Sequence, residues 1–331
     1  MKLLFFLIAF SLVFLRAYFL WAGHGHSGNE EGTMTIENGT DYVQIKWSGK
    51  FKINDEEDGF TSISPGGYFK YRKNDVRLVA KSNLQGEIHY DLFDGRESLA
   101  FDEKGKVFIK DAIKELFAYG FYAKERMEKI YEKGGRTALL EALENLKTDA
   151  LRSMYIDRLF ATDSLRPSDL TEMIRQIGLF AADIDKVTRL NKLTASQLSD
   201  SAIFQAYFTI VEELHADIDK MSLVEHLLDK NLVGGARIDS VLILAAHLNA
   251  DIDKMALYKR LLNNVNETME DQWVLLIENA GRLNADLDKT NLLVLIAAKM
   301  PRTDRTSAAY LKVAKTLQAD AEYGRAMRAL E

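Results

Sequence analysis

Two seven-residue stretches, LHADIDK at 214–220 and LNADIDK at 248–254, differ at one position and stand 34 residues apart. Outward from them the pattern recurs as FAADIDK at 180–186 and LNADLDK at 283–289, and more loosely as LKTDALR at 146–152 and LQADAEY at 317–323. The recurring aspartates are Asp149, Asp183, Asp217, Asp251, Asp286 and Asp320, with spacings of 34, 34, 34, 35 and 34. A fixed period of that length is the signature of stacked helical hairpins.

The columns around each aspartate say how such a hairpin is made. Three residues before it stands a large apolar residue (Leu146, Phe180, Leu214, Leu248, Leu283, Leu317) that closes the first helix. Immediately before it stands a small residue, Thr148 and then Ala182, Ala216, Ala250, Ala285 and Ala319, which lets two backbones approach at the turn. The aspartate itself is expected to cap the second helix by accepting from its first free N–H groups. The acid two residues on (Asp185, Asp219, Asp253, Asp288, Glu322) complements the helix dipole. Leu159, Leu193, Leu227, Leu261, Ile296 and Leu330, ten residues after the aspartates, pair with Ile156, Leu190, Val224, Leu293 and Met327 at seven residues to form one buried stripe. A few buried aliphatics per repeat cannot offset the entropy of ordering its backbone, so the hairpins must share cores with their neighbours.

Before the repeats the period changes. Val43, Ile45 and Trp47 alternate with polar residues, Ser48-Gly49 predicts a turn, and Phe51 and Ile53 continue the alternation as the second arm of a hairpin. Further strands are expected at 68–72, 76–81, 87–93 and 97–101, with Ser64-Pro65-Gly66-Gly67 as a type II turn. Helical spacing begins near Lys110 and a second run from Tyr122 ends at Gly134-Gly135. The fold class expected is therefore α+β: a small antiparallel β domain at 41–109, connecting helices at 110–135, and an α-solenoid of six hairpins at 136–331.

The N-terminus reads as an export element. Residues 1–22 are apolar from Leu3 to Leu15 but for Ser11, follow Lys2, and resume after Arg16. They are expected to form a signal or membrane-anchor helix, either retained in the cytoplasmic membrane or cleaved; Lys2 on one side and Glu30-Glu31 on the other place the rest of the chain outside the cytoplasm. Residues 23–40 are expected to be a linker, in which His24 and His26 are not taken as a metal site.

What is missing narrows function. The 331 residues contain no cysteine, which excludes a disulfide scaffold, an iron–sulfur cluster and a thiolate nucleophile. A formal net charge of -6 gives no overall basic character for nucleic acid, so none is expected as a partner. No Walker, His-Glu-x-x-His, Gly-x-Ser-x-Gly or Gly-x-Gly-x-x-Gly pattern occurs. The Asp-x-Asp pairs lack the glycine and glutamate of a calcium loop. No cofactor, metal or catalytic residue is assigned, and the chain is read as a non-enzyme.

The stretch Ser62-Ile63-Ser64-Pro65-Gly66-Gly67-Tyr68-Phe69, the Asp94-Gly95-Arg96 turn and the six aspartate-marked hairpins resemble an uncharacterised bacterial envelope family. In that family a short β segment with a Ser-Pro-Gly-Gly-aromatic stretch precedes hairpins punctuated by Ser-Asp-Tyr-Glu-Lys-like motifs, and some members accompany membrane metalloproteases of the β-lactam-sensor type. This chain has Ala-Asp-Ile-Asp-Lys instead and no zinc motif. The resemblance implies a role beside a membrane signalling or envelope system. The leading expectation is a tethered or exported interaction module whose solenoid groove binds a protein or peptide of the cell envelope. Arg189, Lys192, Glu225, Lys259 and Arg260, on the second helices and mostly off the buried stripe, are the candidate contacts. A sensor domain for a membrane protease, a structural spacer and a hydrolase with scattered residues are the competing classes.

Overall fold

The computed structural model describes residues 31–38, 41–162, 165–265 and 268–331. The expected anchor at 1–22 and the histidines at 24 and 26 lie outside them. No helix among the described residues is long and apolar enough to cross a membrane. The chain is mixed α+β and divides into two compact units, one ending at Phe121 and the other spanning Tyr122–Glu331.

The described residues of the first unit form an antiparallel sheet with one helix. Its strands are β1 (Glu31–Asn38), β2 (Asp41–Ser48), β3 (Phe51–Ile53), β4 (Phe60–Ile63), β5 (Tyr68–Lys73), β6 (Val76–Ser82), β7 (Ile88–Asp94) and β8 (Glu97–Leu99). Six of them form one sheet in the order β1-β2-β5-β6-β7-β8, and β3 with β4 forms a separate hairpin. Two expectations are corrected here. Residues 31–38, expected as linker, pair along the whole length of β2, with Ile36 opposite Val43 and Met34 opposite Ile45. Phe51 and Ile53 do not pair back on β2 but on β4, because Gly49 at φ 81 turns the chain out of the main sheet. The Ser64–Gly67 turn is as expected: Gly66 takes φ 74 at the third position, and the Gly67 N–H donates to the Ser64 carbonyl at 2.7 Å.

Strand alternation gives this sheet two unlike faces. Val43, Ile45, Phe69, Tyr71, Leu78, Ala80 and Leu92 face inward. They pack with Ile109, Ala112, Ile113, Leu116 and Phe117 of helix α1 (Glu103–Ala118), and with Phe51, Phe60 and Ile63 of the small hairpin. Helix α1 starts seven residues earlier than Lys110 because Asp102 accepts from the Lys104 N–H at 2.9 Å and caps it. It belongs to the sheet's core rather than to a connecting segment.

The second unit is helical throughout. Helix α2 (Ala123–Leu143) bends at Gly135, whose φ of 60 and ψ of -150 only glycine adopts without strain. Then follow α3 (Asp149–Phe160), α4 (Pro167–Gly178), α5 (Asp183–Leu190), a one-turn α6 (Ala195–Ser199), α7 (Ser201–Glu213), α8 (Asp217–Asp229), α9 (Ala236–Ala246), α10 (Asp251–Leu261), α11 (Glu270–Gly281), α12 (Asp286–Ala297), α13 (Asp304–Ala314) and α14 (Asp320–Leu330). From α5 onward each aspartate-initiated helix packs on its equivalents in the flanking repeats: α5 on α8, α8 on α10, α10 on α12 and α12 on α14. One hydrophobic cluster runs from Met127 to Ala326 with no break between repeats. Its larger members include Trp273, Phe208 and Tyr207, as their helical spacing implies. Within hairpins, the Tyr207 hydroxyl donates to the Leu223 carbonyl and the Tyr310 hydroxyl to the Ala326 carbonyl, both at 2.9 Å, sixteen residues on in each case.

Candidate functional site

The six aspartates do not cap their own helices. In each case the capping position is the preceding residue, Thr148 or an alanine with extended backbone, and the aspartate is the first helical residue. Its carboxylate reaches the turn of the following repeat. Asp149 Oδ2 accepts from the Ala181 N–H at 2.7 Å, Asp183 Oδ2 from His215 at 2.8 Å, and Asp251 Oδ2 from Asn284 at 2.6 Å. Asp217 takes two backbone N–H groups, Asn249 at 2.6 Å and Ala250 at 3.0 Å, and the Asn249 side-chain amide at 3.0 Å. Asp286 takes those of Gln318 at 2.7 Å and Ala319 at 2.9 Å. The turn before each second helix carries orphan N–H donors, and stacking brings the previous repeat's carboxylate to them, while the alanine preceding the aspartate has no side chain to compete. The Asp320 carboxylate is exposed and makes no hydrogen bond or ion pair among the described residues.

The other carboxylate oxygen holds a cation one turn along: Arg152 at 3.0 Å from Asp149, Lys186 at 3.1 Å from Asp183, Lys254 at 3.1 Å from Asp251 and Lys289 at 3.8 Å from Asp286. Lys186 and Lys254 are buried, so their ammonium groups need these carboxylates ionised. Burial works against the charge of Asp183 and Asp251, but the backbone donor of the next repeat and the lysine outweigh it and hold both below the ordinary carboxylate range. At Asp286 the Ala319 and Gln318 N–H groups act first in the same direction.

One residue past each internal aspartate the chain does the opposite of burying its apolar side chains. Ile184, Ile218, Ile252 and Leu287 are 64%, 75%, 77% and 54% exposed. They recur at the second position of α5, α8, α10 and α12, which are consecutive neighbours, so they form a row along the turn edge with a step of about 8–10 Å. Beside that row stand Asp219, Asp253 and Asp288, none with an ion pair among the described residues, whereas Asp185 is held by Arg189 at 3.2 Å. The sequence carried this signal, since a strong hydrophobe lies between two acids in all four copies, but periodicity within one helix does not single it out.

The five contacts expected on the second helices do not form a free groove. Arg189 is mostly buried, bonded to the carbonyl and carboxylate of Asp185 and lying over the Phe180 ring. Lys192 reaches back to Asp157 of the previous repeat at 2.6 Å. Arg260 pairs with Asp229 at 2.5 Å and with Glu225 at 3.4 Å, so Glu225 is engaged too. Lys259 alone is exposed with no ion pair among the described residues. This face is laced between repeats, Arg158 to Glu128 at 3.2 Å being a further rung.

No catalytic or metal constellation emerges among the described residues. No group of three metal-ligating side chains lies together. A ring nitrogen of His215 sits 3.0 Å from Asp183, His247 bonds the Ile243 carbonyl of its own helix, and His226 lies 3.0 Å from the Leu193 carbonyl, where burial lowers its pKa. A shallow depression lined by Asp58, Glu103, Lys106, Val107 and Lys110 contains no base beside a nucleophile. Comparison with protein-family models, curated proteins and solved structures returns no match.

Proposed function

We propose that the chain is a non-enzymatic interaction module, exported or tethered outside the cytoplasmic membrane by residues 1–22, whose α-solenoid binds an extended peptide segment of an envelope protein along its turn edge. The observation that carries this reading is the exposed row Ile184, Ile218, Ile252 and Leu287. Folding alone gives no reason to keep four large aliphatics in water at equivalent positions, and repeat arrays recognise partners through such continuous surfaces. The repeat step equals about three residues of extended chain at 3.3 Å each, so the fitting ligand presents an apolar side chain every third residue. The unpaired Asp219, Asp253 and Asp288 select lysine or arginine between them.

The test is a displayed library of random peptides selected on the full chain, followed by titration of the enriched sequence. Ile218→Ser with Ile252→Ser should weaken that binding at least about tenfold with no loss in melting temperature, since neither side chain is in the core. Enrichment of peptides with no apolar period, or binding indifferent to both substitutions, would remove the edge as the site. Arg260→Glu should leave binding unchanged, which separates this edge from the second-helix face.

A further inference from the structure

The outer face of the sheet is an independent feature of a different kind. Among the described residues of its unit, the elements that cover the sheet, α1, the β3–β4 hairpin and Phe121, pack on the inner face. The registers place Thr35, Gln44, Arg72, Arg77 and Phe93 in one row across the outer face, and Thr33, Lys46, Lys70, Val79 and Asp91 in the next. Glu31, Ser48, Tyr68, Lys81 and His89 make the third, with Glu31 accepting from the Ser48 hydroxyl at 3.0 Å, and Glu37 lies opposite Tyr42 on the same face, away from the facing cations. Lys46 is directly opposite Lys70, and Arg72 directly opposite Arg77. Like charges facing each other across strands destabilise a sheet, and here two such pairs lie in adjacent rows.

The chain softens that repulsion without neutralising it. Arg72 lies over the Tyr42 ring at 5.5 Å, Lys70 over Tyr68 at 4.2 Å and Arg77 over Phe93 at 4.4 Å. Lys81 is paired with Asp91 at 2.9 Å, but Lys46, Lys70, Arg72 and Arg77 have no ion pair among the described residues. A chain of net charge -6 thus collects four cations without ion pairs in two adjacent rows of one sheet face. Such a surface is complementary to a polyanion.

We infer that this face docks on an anionic lipid surface. The choice of occupant rests on the export reading of residues 1–22: only residues 23–30 separate that apolar stretch from β1, and eight residues span at most about 29 Å fully extended. Tethered that closely, the sheet is held within reach of headgroups. The face exposes no large aliphatic to insert, so contact is electrostatic, with tyrosines at headgroup depth.

The chain has no cysteine, so a single one can be labelled cleanly. His89→Cys on the outer face and Thr61→Cys on β4, both exposed positions, would carry a fluorophore in the full chain, incorporated into vesicles containing lipids spin-labelled at the headgroup. With 30% phosphatidylglycerol, the label at 89 should be quenched and the label at 61 much less. Pure phosphatidylcholine or half-molar salt should abolish the difference. Arg72→Gln with Arg77→Gln should lower the docking equilibrium on the order of 25-fold while the melting temperature holds or rises, because a repulsive pair is removed. Equal quenching in neutral vesicles, or quenching indifferent to these substitutions, would overturn the inference. So would binding of a fluorescent single-stranded oligonucleotide with the same dependence on both arginines, which would assign the face to nucleic acid. Flotation with neutral vesicles reads the tether separately: flotation without quenching sinks the face alone, and quenching by anionic vesicles without neutral flotation sinks the tether alone.

Discussion

The sheet unit and the helical unit solve the same problem, too little apolar surface per element, in opposite ways. In the sheet unit a single core is closed by unlike parts: Phe51, Phe60 and Phe69 meet edge-on or tilted with centroids 4.9–5.5 Å apart, and each position is used once. In the helical unit one interface is used repeatedly, and its polar joint, a carboxylate on the next turn's N–H groups, is copied with it. The sheet unit therefore depends on local turn geometry, whereas the array depends on the joints between neighbours. The two units also differ in what they expose. The array repeats an apolar row at a fixed step, and the sheet concentrates charge on the face opposite its own helix and hairpin.

The sharpest way to break this comparison is in the cores. Trp273→Ala, in α11, should cost about 3–5 kcal/mol, and hydrogen exchange should rise in α9 and α13, which flank α11, while β5 and β6 keep their protection. Uniform loss of protection over both units would mean that they unfold as one. At the joints, Asp217→Ala strands two backbone donors and should cost about 2–3 kcal/mol in chemical denaturation. Asp320→Ala, at the same repeat position but with a carboxylate that bonds nothing among the described residues, should stay within about 0.5 kcal/mol. Equal costs at the two sites would restore helix capping as the role of the column.

The same joints set an acid limit. Asp183, Asp251 and Asp286 have folded pKa values below the unfolded carboxylate value of about 3.9. The unfolded chain therefore binds their protons first, and their contribution, complete above that value, is lost as pH falls through the folded values. Asp251→Asn should flatten the dependence of stability on pH below about 4, and an unchanged slope would show that the carboxylate is not ionised in the joint. In the sheet unit the equivalent weak point is a turn. A Cβ on Gly67 would lie 2.6 Å from the Ser48 carbonyl oxygen and 2.8 Å from that of Ser64, so Gly67→Ala should cost about 2 kcal/mol. The smallest effect belongs to the laced face: Arg260→Ala, losing two partly exposed pairs, should change stability by about 0.5 kcal/mol.

Much of the architecture was legible because it rests on periodicity. Alternation located β2, β5, β6 and β7, and the 34-residue period located the helix starts at Asp149, Asp183, Asp217, Asp251, Asp286 and Asp320. Strand β1 was hidden because Thr33, Met34, Thr35 and Ile36 alternate only briefly among glycines and acids, and Gly32 is there to admit the Trp47 ring, a reason visible only once the strands are paired. Candidate contacts drawn from charge on the second helices failed differently. Lys192 and Arg260 look free along their own helices, but their partners, Asp157 and Asp229, stand 35 and 31 residues away in the preceding repeat.

The recurring aspartate divides what each level of description can settle. The sequence by itself determined that a carboxylate recurs at one point of every repeat, at the start of the second helix and beside a small residue. Which N–H groups it serves was decided by the tertiary structure alone. A strict repeat makes residue n of one copy and residue n of the next indistinguishable as partners, and only the stacking step, by carrying each carboxylate onto the following turn, chooses between them.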